Sequence, residues 1–307
     1  MLIKIKRFAD RQLRVSELLT IIRYPLATLA ILTSVLLISG CKEEQEPTYL
    51  QLSGFELTTR SGEGAATENI NSIWIFKDNE FIGAFPPEGR VPLLESGPTE
   101  LRFEFGMQEN GQTATPNIYE AYEAVSLDLD LIPGETQTVP TLPVRYRTDI
   151  NFAFIDGFES NEDRAFTNVV LGGGGLEQSG ELVRSGNFAG KVELSAEDPV
   201  LDVITEVVYE DLLGAIGQVW LEVDFKSDVP AIWGVAESDT DAGEEPFRLY
   251  DRGFNPRDEW TKVYFNLTQV IVNSEQLDYR FGFSTFLQSL EQESGTLYLD
   301  NIKVLYF

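Results

Sequence analysis

Histidine is absent from all 307 residues, cysteine occurs once, and 23 Lys and Arg stand against 50 Asp and Glu. Without imidazole the chain has no default general base, no Ser-His-Asp triad and no His-ligated transition metal. A single cysteine excludes both an intramolecular disulfide and a Cys-cluster metal site. The net charge of −27 at pH 7 argues against nucleic acid as a partner, because neutralising phosphates takes basic surface. No G-x-S-x-G elbow and no dinucleotide fingerprint occurs. The glycine run at 172–175 lacks the Lys-Ser/Thr and helix start that a phosphate cradle requires, so it reads as a flexible loop. Paired carboxylates would suffice for glycoside hydrolysis, but among 50 acids their adjacency carries no diagnostic weight. The chain is therefore expected not to be an enzyme.

What is present begins with an address. Residues 1–40 hold six basic residues (Lys4, Lys6, Arg7, Arg11, Arg14, Arg23) and only Asp10 and Glu17 as acids. An uncharged, mostly apolar run from Tyr24 to Gly40 follows, then Cys41. A positive segment, an apolar segment and small residues before a cut site define a secretory signal rather than a fold element. Ile38-Ser39-Gly40-Cys41 resembles the bacterial lipobox, which implies a covalent lipid on Cys41 and a membrane anchored through acyl chains. Lys42-Glu43-Glu44 resembles the acidic signal by which Bacteroidota export lipoproteins to the outer face of the outer membrane. The organisation expected is a signal peptide at 1–40, an acidic tether at 41–47, and β domains at 48–147 and 148–307.

Downstream the dominant period is two. Leu101, Phe103 and Phe105 alternate with Arg102 and Glu104, and Leu127, Leu129 and Leu131 alternate with Ser126, Asp128 and Asp130. Half-buried strands read this way. Asp78-Asn79, Asn110-Gly111 and Pro133-Gly134 supply turns between them. Hydrophobic residues at 43% suffice for packed cores, and no amphipathic helix is evident beyond the leader. The fold class expected is all-β, a small sandwich followed by a second β domain. The strand–turn–strand cadence from Trp74 to Gly83, with Pro86-Pro87 after it, resembles PEGA-type immunoglobulin-like surface modules. It departs from them at Asn79, where those modules usually carry glycine. The resemblance implies a spacer.

The second domain opens on Gly157-Phe158-Glu159, continues through Ser185-Gly186 to Gly190-Lys191, and closes on Leu299-Asp300-Asn301-Ile302. These marks resemble the galactose-binding-like jelly roll found in many carbohydrate-binding modules. The resemblance implies a structural calcium between the opening and closing strands, held by Glu159, Asp300 and a backbone carbonyl near Lys191, since hard cations take oxygen ligands. The alternative is that both carboxylates serve as turn caps with no metal.

Sugar recognition needs aromatic faces with a few polar groups around them. In 219–226, Val219, Leu221, Val223 and Phe225 share one face and leave Trp220 on the other with Glu222, Asp224 and Lys226. Trp220 is thus either a stacking platform or covered by a loop. Tyr250 and Phe254, flanked by Arg252 and Arg257, read as loop-borne contacts, and loops over a rigid sandwich commonly carry binding function. Trp233 reads as core, Trp260 as a sheet-edge residue and Trp74 as a core or edge-strand aromatic. The function expected is a glycan-binding or adhesive lipoprotein of the outer membrane, facing the exterior. The alternative is an accessory subunit that docks on a protein partner.

Overall fold

The computed structural model describes residues 46–162, 164–214, 217–238, 245–289 and 291–307. The signal peptide and the lipidation at Cys41 lie outside the described residues. Among those residues the chain is all-β, with one short helix, and no helix is long and apolar enough to cross a membrane.

Ten strands build the first sandwich. They are β1 (Thr48–Ser53), β2 (Phe55–Leu57), β3 (Ser72–Lys77), β4 (Glu80–Phe85) and β5 (Glu88–Leu93), then β6 (Gly97–Gln108), β7 (Pro116–Ile118), β8 (Val125–Leu131), β9 (Thr136–Val139) and β10 (Leu142–Val144). One sheet runs β4-β3-β6-β7 with β8 also on β6; opposite it lie β5-β1-β9 and the pair β10-β2. The β3–β4 hairpin turns on Asp78 and Asn79, both in the left-handed region at φ 49° and 65°. Two such residues make the two-residue turn whose twist matches paired strands, and asparagine tolerates that region, which is why Asn79 can stand where glycine was expected.

The jelly roll uses β11 (Asn151–Asp156), β12 (Phe166–Leu171), β13 (Glu177–Ser179), β14 (Ala189–Ser195), β15 (Val200–Thr205) and β16 (Tyr209–Glu210). It continues with β17 (Val219–Ser227), β18 (Ala231–Glu237), β19 (Arg248–Phe254), β20 (Arg257–Asn266), α1 (Thr268–Ser274), β21 (Asp278–Phe286) and β22 (Ser294–Tyr306). One six-stranded sheet runs β13-β14-β22-β17-β20 with β11 on β22. The other runs β12-β15-β21-β18-β19 with β16 on β21. Val223, Phe225, Trp233 and Phe283 meet between the two sheets in one core.

Thr48–Phe307 forms one compact unit. Just before the expected boundary at 147/148, β10 pairs in parallel with β2, and Tyr146 is fully buried. The core of the first sandwich also takes in Trp220, Tyr264 and Leu305 from the jelly roll, so the two β regions share apolar packing.

Candidate functional site

A jelly roll offers two broad outer faces, and here one of them is covered. β17 is buried on both sides, with Val219, Leu221, Val223 and Phe225 inside the jelly roll and Trp220, Glu222 and Asp224 beneath the first sandwich. Trp220 is 1% exposed and packs edge-on against Tyr119 at 5.3 Å, while its indole N–H donates to Gln218. This corrects the expectation of a stacking platform. The polar strand face that seemed to await a ligand is an internal interface.

Around Trp220 the seam is built from paired charge. Glu222 accepts hydrogen bonds from the hydroxyls of Tyr119 at 2.7 Å and Tyr146 at 2.8 Å, and Lys262 Nζ lies 2.8 Å from it. Lys303 Nζ donates to the carbonyl of Ala65 at 2.9 Å and to Tyr146 at 3.2 Å. Thr67 donates to Asp224. Burial pushes the Glu222 carboxyl up, but Lys262 and Lys303 outweigh it and hold the group below its ordinary value. Burial pulls Lys303 down to about 8, reinforced by neighbouring Lys262.

The opposite sheet keeps an outer face of its own. On it Leu201 and Val203 point inward and Asp202 outward, in register with Ser284, which in turn pairs with Ile232. Tyr250 reaches across from β19, where its hydroxyl donates to Asp202 Oδ1 at 2.9 Å. The ring lies over Gly282, at which an added Cβ would sit 2.3 Å from the tyrosine oxygen. Glycine in mid-strand marks such close approach. Arg248 Nε stands 3.3 Å from Asp202 Oδ2, and its Nη2 donates to Glu245. Arg248 Nη1 is buried and has no hydrogen-bond partner among the described residues. Burial raises the Asp202 carboxyl, with the tyrosine bond and the Arg248 charge acting against it. Ile232, 37% exposed, adds an apolar contact beside the Ser284 hydroxyl. The Tyr250 ring and the Ile232 side chain thus lie at one face, over a buried network of Asp202 and Arg248. A ring held in this way can stack on a C–H face.

Of the four residues expected to contact ligand, only Tyr250 belongs to this set. The segment expected as a loop is an edge strand, β19, which pairs with β18 through Gly253, Arg252 and Tyr250. A register shift between the Gly234–Tyr250 and Trp233–Arg252 pairs breaks the alternation, so residues two and four apart here do not share a face. Arg252 Nε donates to the carbonyl of Asn266 at 3.0 Å, and the guanidinium also pairs with Asp251. Phe254 turns inward, 9% exposed and stacked on Phe225 with ring centroids 3.6 Å apart. Asp202 and Arg248, which complete the set, are not among the residues that the sequence pattern singles out. One signal was available for Asp202: a lone acid inside Val200-Leu201-Asp202-Val203-Ile204 is an unusual strand residue that needs a partner.

The carboxylates expected to hold calcium are engaged by backbone donors. Glu159 accepts from the backbone N–H groups of Asn187 and Phe188 and from the Asn187 side chain. Asp300 Oδ2 accepts from the backbones of Arg184 and Ser185, both at 3.0 Å, and Oδ1 from Asn301. Lys191 sits inside β14, paired on one side with β13 and on the other with β22. Glu159 lines a cavity of about 370 Å³ that Asp300 does not reach. Among the described residues no three His, Cys, Asp or Glu side chains converge as a metal site. Both carboxylates cap turns.

No family model matches the chain, and no curated protein matches it. Among solved structures it is similar to the C-terminal family 22 carbohydrate-binding module of Clostridium thermocellum Xyn10B. The identity there is 11% over 50% of this chain and 92% of that one, with a TM-score of 0.32. The CBM22-1 xylan-binding domain of Paenibacillus barcinonensis Xyn10C matches at 14% identity over 50% of this chain and 93% of its own, with a TM-score of 0.32. A carbohydrate-binding module of the β-sandwich superfamily matches at 14% identity over 85% of this chain and 98% of its own, with a TM-score of 0.37. At scores this low a shared function does not follow.

Proposed function

We propose that this chain is a non-catalytic glycan-binding lipoprotein, anchored in the outer membrane through Cys41, whose jelly roll takes the sugar on the face built by β15, β21, β18 and β19. One observation carries the reading. Tyr250 is laid across a glycine floor and fixed by Asp202, whose carboxylate also pairs with Arg248. A pre-set ring and pre-set polar groups lower the ordering cost that weakens most carbohydrate contacts. The lipid anchor rests on the Ile38-Ser39-Gly40-Cys41 tetrapeptide and the apolar run before it.

The test is a glycan array on the full chain, repeated with Tyr250→Ala and Arg248→Ala. Saturable binding that weakens roughly tenfold or more in both variants is the expected outcome. Binding that neither variant alters would remove the face from consideration. For the anchor, Cys41→Ser is expected to abolish incorporation of labelled palmitate in a bacterial host; undiminished label would overturn it.

A further inference from the structure

The first sandwich has an outer sheet face of its own. On β3, Ile73 and Ile75 turn into the core, and alternation sends Trp74 and Phe76, both partly exposed, to the outer side. Phe81 joins them from β4, in register with Phe76 and 49% exposed. The Trp74 and Phe81 ring centroids lie 5.0 Å apart, and those of Phe76 and Phe81 5.4 Å. Trp74 is held in place: its indole N–H donates to Ser72 Oγ at 3.2 Å, and the ring lies over Gly106, where an added Cβ would sit 2.4 Å from the indole nitrogen. Across β6 and β8 the same face turns polar. Trp74 stands opposite Glu104, and Phe76 opposite Arg102, which is in turn opposite Ser126. The Arg102 guanidinium lies over the Phe76 ring, 4.4 Å from its centroid, and pairs with Glu104. Glu100, Asp128 and Asp130 continue β6 and β8 away from the rings. At the hairpin end Lys77 pairs with Glu95, and Asp78 and Glu80 are exposed.

The geometry points to a second glycan site on this face, one that takes a neutral pyranose chain. A pyranose has an apolar C–H face and a rim of hydroxyls, and the surface is divided the same way: exposed rings on β3 and β4, hydrogen-bonding side chains on β6 and β8. Arg102 and Glu104 neutralise each other, yet a guanidinium and a carboxylate each carry more donor or acceptor positions than one mutual contact consumes. What remains serves hydroxyls without asking for a charged ligand. An anion would be opposed by Glu100, Glu104 and Asp128. A cation would find Arg102 already over Phe76 and the nearest carboxylate, Glu104, already paired. A folded protein is disfavoured by size: three partly exposed rings offer roughly 200 Å², whereas each side of a stable protein interface buries about 800 Å². Ser72 and Gly106 fix the indole, so the ring is set before ligand arrives. The site sits on a different sandwich from Tyr250, and neither needs the other.

The experiment uses the full chain carrying Tyr250→Ala, in a zwitterionic detergent free of sugar, so that the jelly-roll face is silenced. Xylohexaose, mannohexaose and cellohexaose are the probes, with choline and a mixed-sequence decapeptide as alternatives. Calorimetric titration is read alongside hydrogen exchange by mass spectrometry. At least one hexasaccharide is expected to bind and to slow exchange in segments 72–85 and 100–106. Adding Phe81→Ala is expected to weaken that binding roughly tenfold, and Trp74→Ala to do the same. Phe81 is half exposed, so its removal should leave the melting temperature close to that of the Tyr250→Ala chain. Binding by the parent that Tyr250→Ala abolishes entirely would overturn this site while sustaining the jelly-roll face. Binding that Tyr250→Ala leaves unchanged and Phe81→Ala removes would sustain this site and remove the other. Affinity unaltered by Phe81→Ala, or a response to choline or the decapeptide alone, would overturn the proposal.

Discussion

Glu222 is fully buried between two lysines and two tyrosine hydroxyls, and each of its contacts crosses from one strand or one sandwich to another. A buried charge tolerates that position only while its partners remain. Removing one member leaves the others uncompensated in a low dielectric, a loss of about 3–5 kcal/mol. Glu222→Gln is therefore expected to destabilise the fold by that amount in urea denaturation, because it strands Lys262. Tyr146→Phe should cost less, about 1–3 kcal/mol, since it deletes one hydroxyl from a carboxylate that keeps other donors. Equal effects from the two would contradict the assignment of Glu222 as the hub. Tyr250 belongs to the opposite case. Its hydroxyl bonds to Asp202, yet the ring lies at a face where Ile232 is exposed, so its truncation should weaken glycan binding more than folding.

At the scale of elements, β22 shows how a closing strand is made to serve two sheets of contacts. Leu297, Leu299, Ile302 and Val304 enter the jelly-roll core, while Lys303 and Leu305 join the seam. The simple alternation is broken at Asn301, which adopts φ 49° where the pairing with β17 shifts register. Beside that bulge Asp300 caps the turn at Arg184-Ser185. Burial pushes the Asp300 carboxyl up to about 6, above an ordinary value of 3.8, despite the N–H donors around it. A folded-state value raised in this way means the native protein holds the proton more tightly than the unfolded chain. The stabilising contribution is complete below pH 3.8 and is lost as pH rises through about 6. Asp300→Asn, neutral throughout, should remove this slope: relative to the parent, the variant gains on the order of 2 kcal/mol between pH 4 and pH 7. Denaturant titrations of both proteins at the two pH values measure it, and a parallel response would refute it.

For the whole molecule, the shared core across the seam predicts one cooperative unfolding event for Thr48–Phe307. Trp220, Tyr264 and Leu305 lose their cover if the first sandwich is cut away. Residues 148–307 alone are expected to melt roughly 10 °C or more below the full chain, given the apolar surface they would expose. Two resolved calorimetric transitions, one matching the fragment, would contradict this. The same seam constrains function, because it leaves the jelly roll one broad face for a ligand.

Local pattern determined a good deal on its own. Alternating hydrophobicity and Asn-Gly or Asp-Asn turns made the all-β class legible, because strand period and turn geometry depend on residues close along the chain. The same pattern correctly separated the core side of β17 from its polar side. It could not say what the polar side meets. Whether Trp220 stacks on a sugar or on Tyr119 depends on residues about a hundred positions away, and no local period encodes that contact. The chain likewise shows aromatics and arginines clustered at 249–257, but only pairing with β18 sends Tyr250 out, Phe254 in and Arg252 to the edge. Asp202 and Arg248 become partners through sheet packing across nearly fifty residues. Burial and long-range register are properties of the assembled fold, and they decided which of the sequence's polar and aromatic residues remained available to bind.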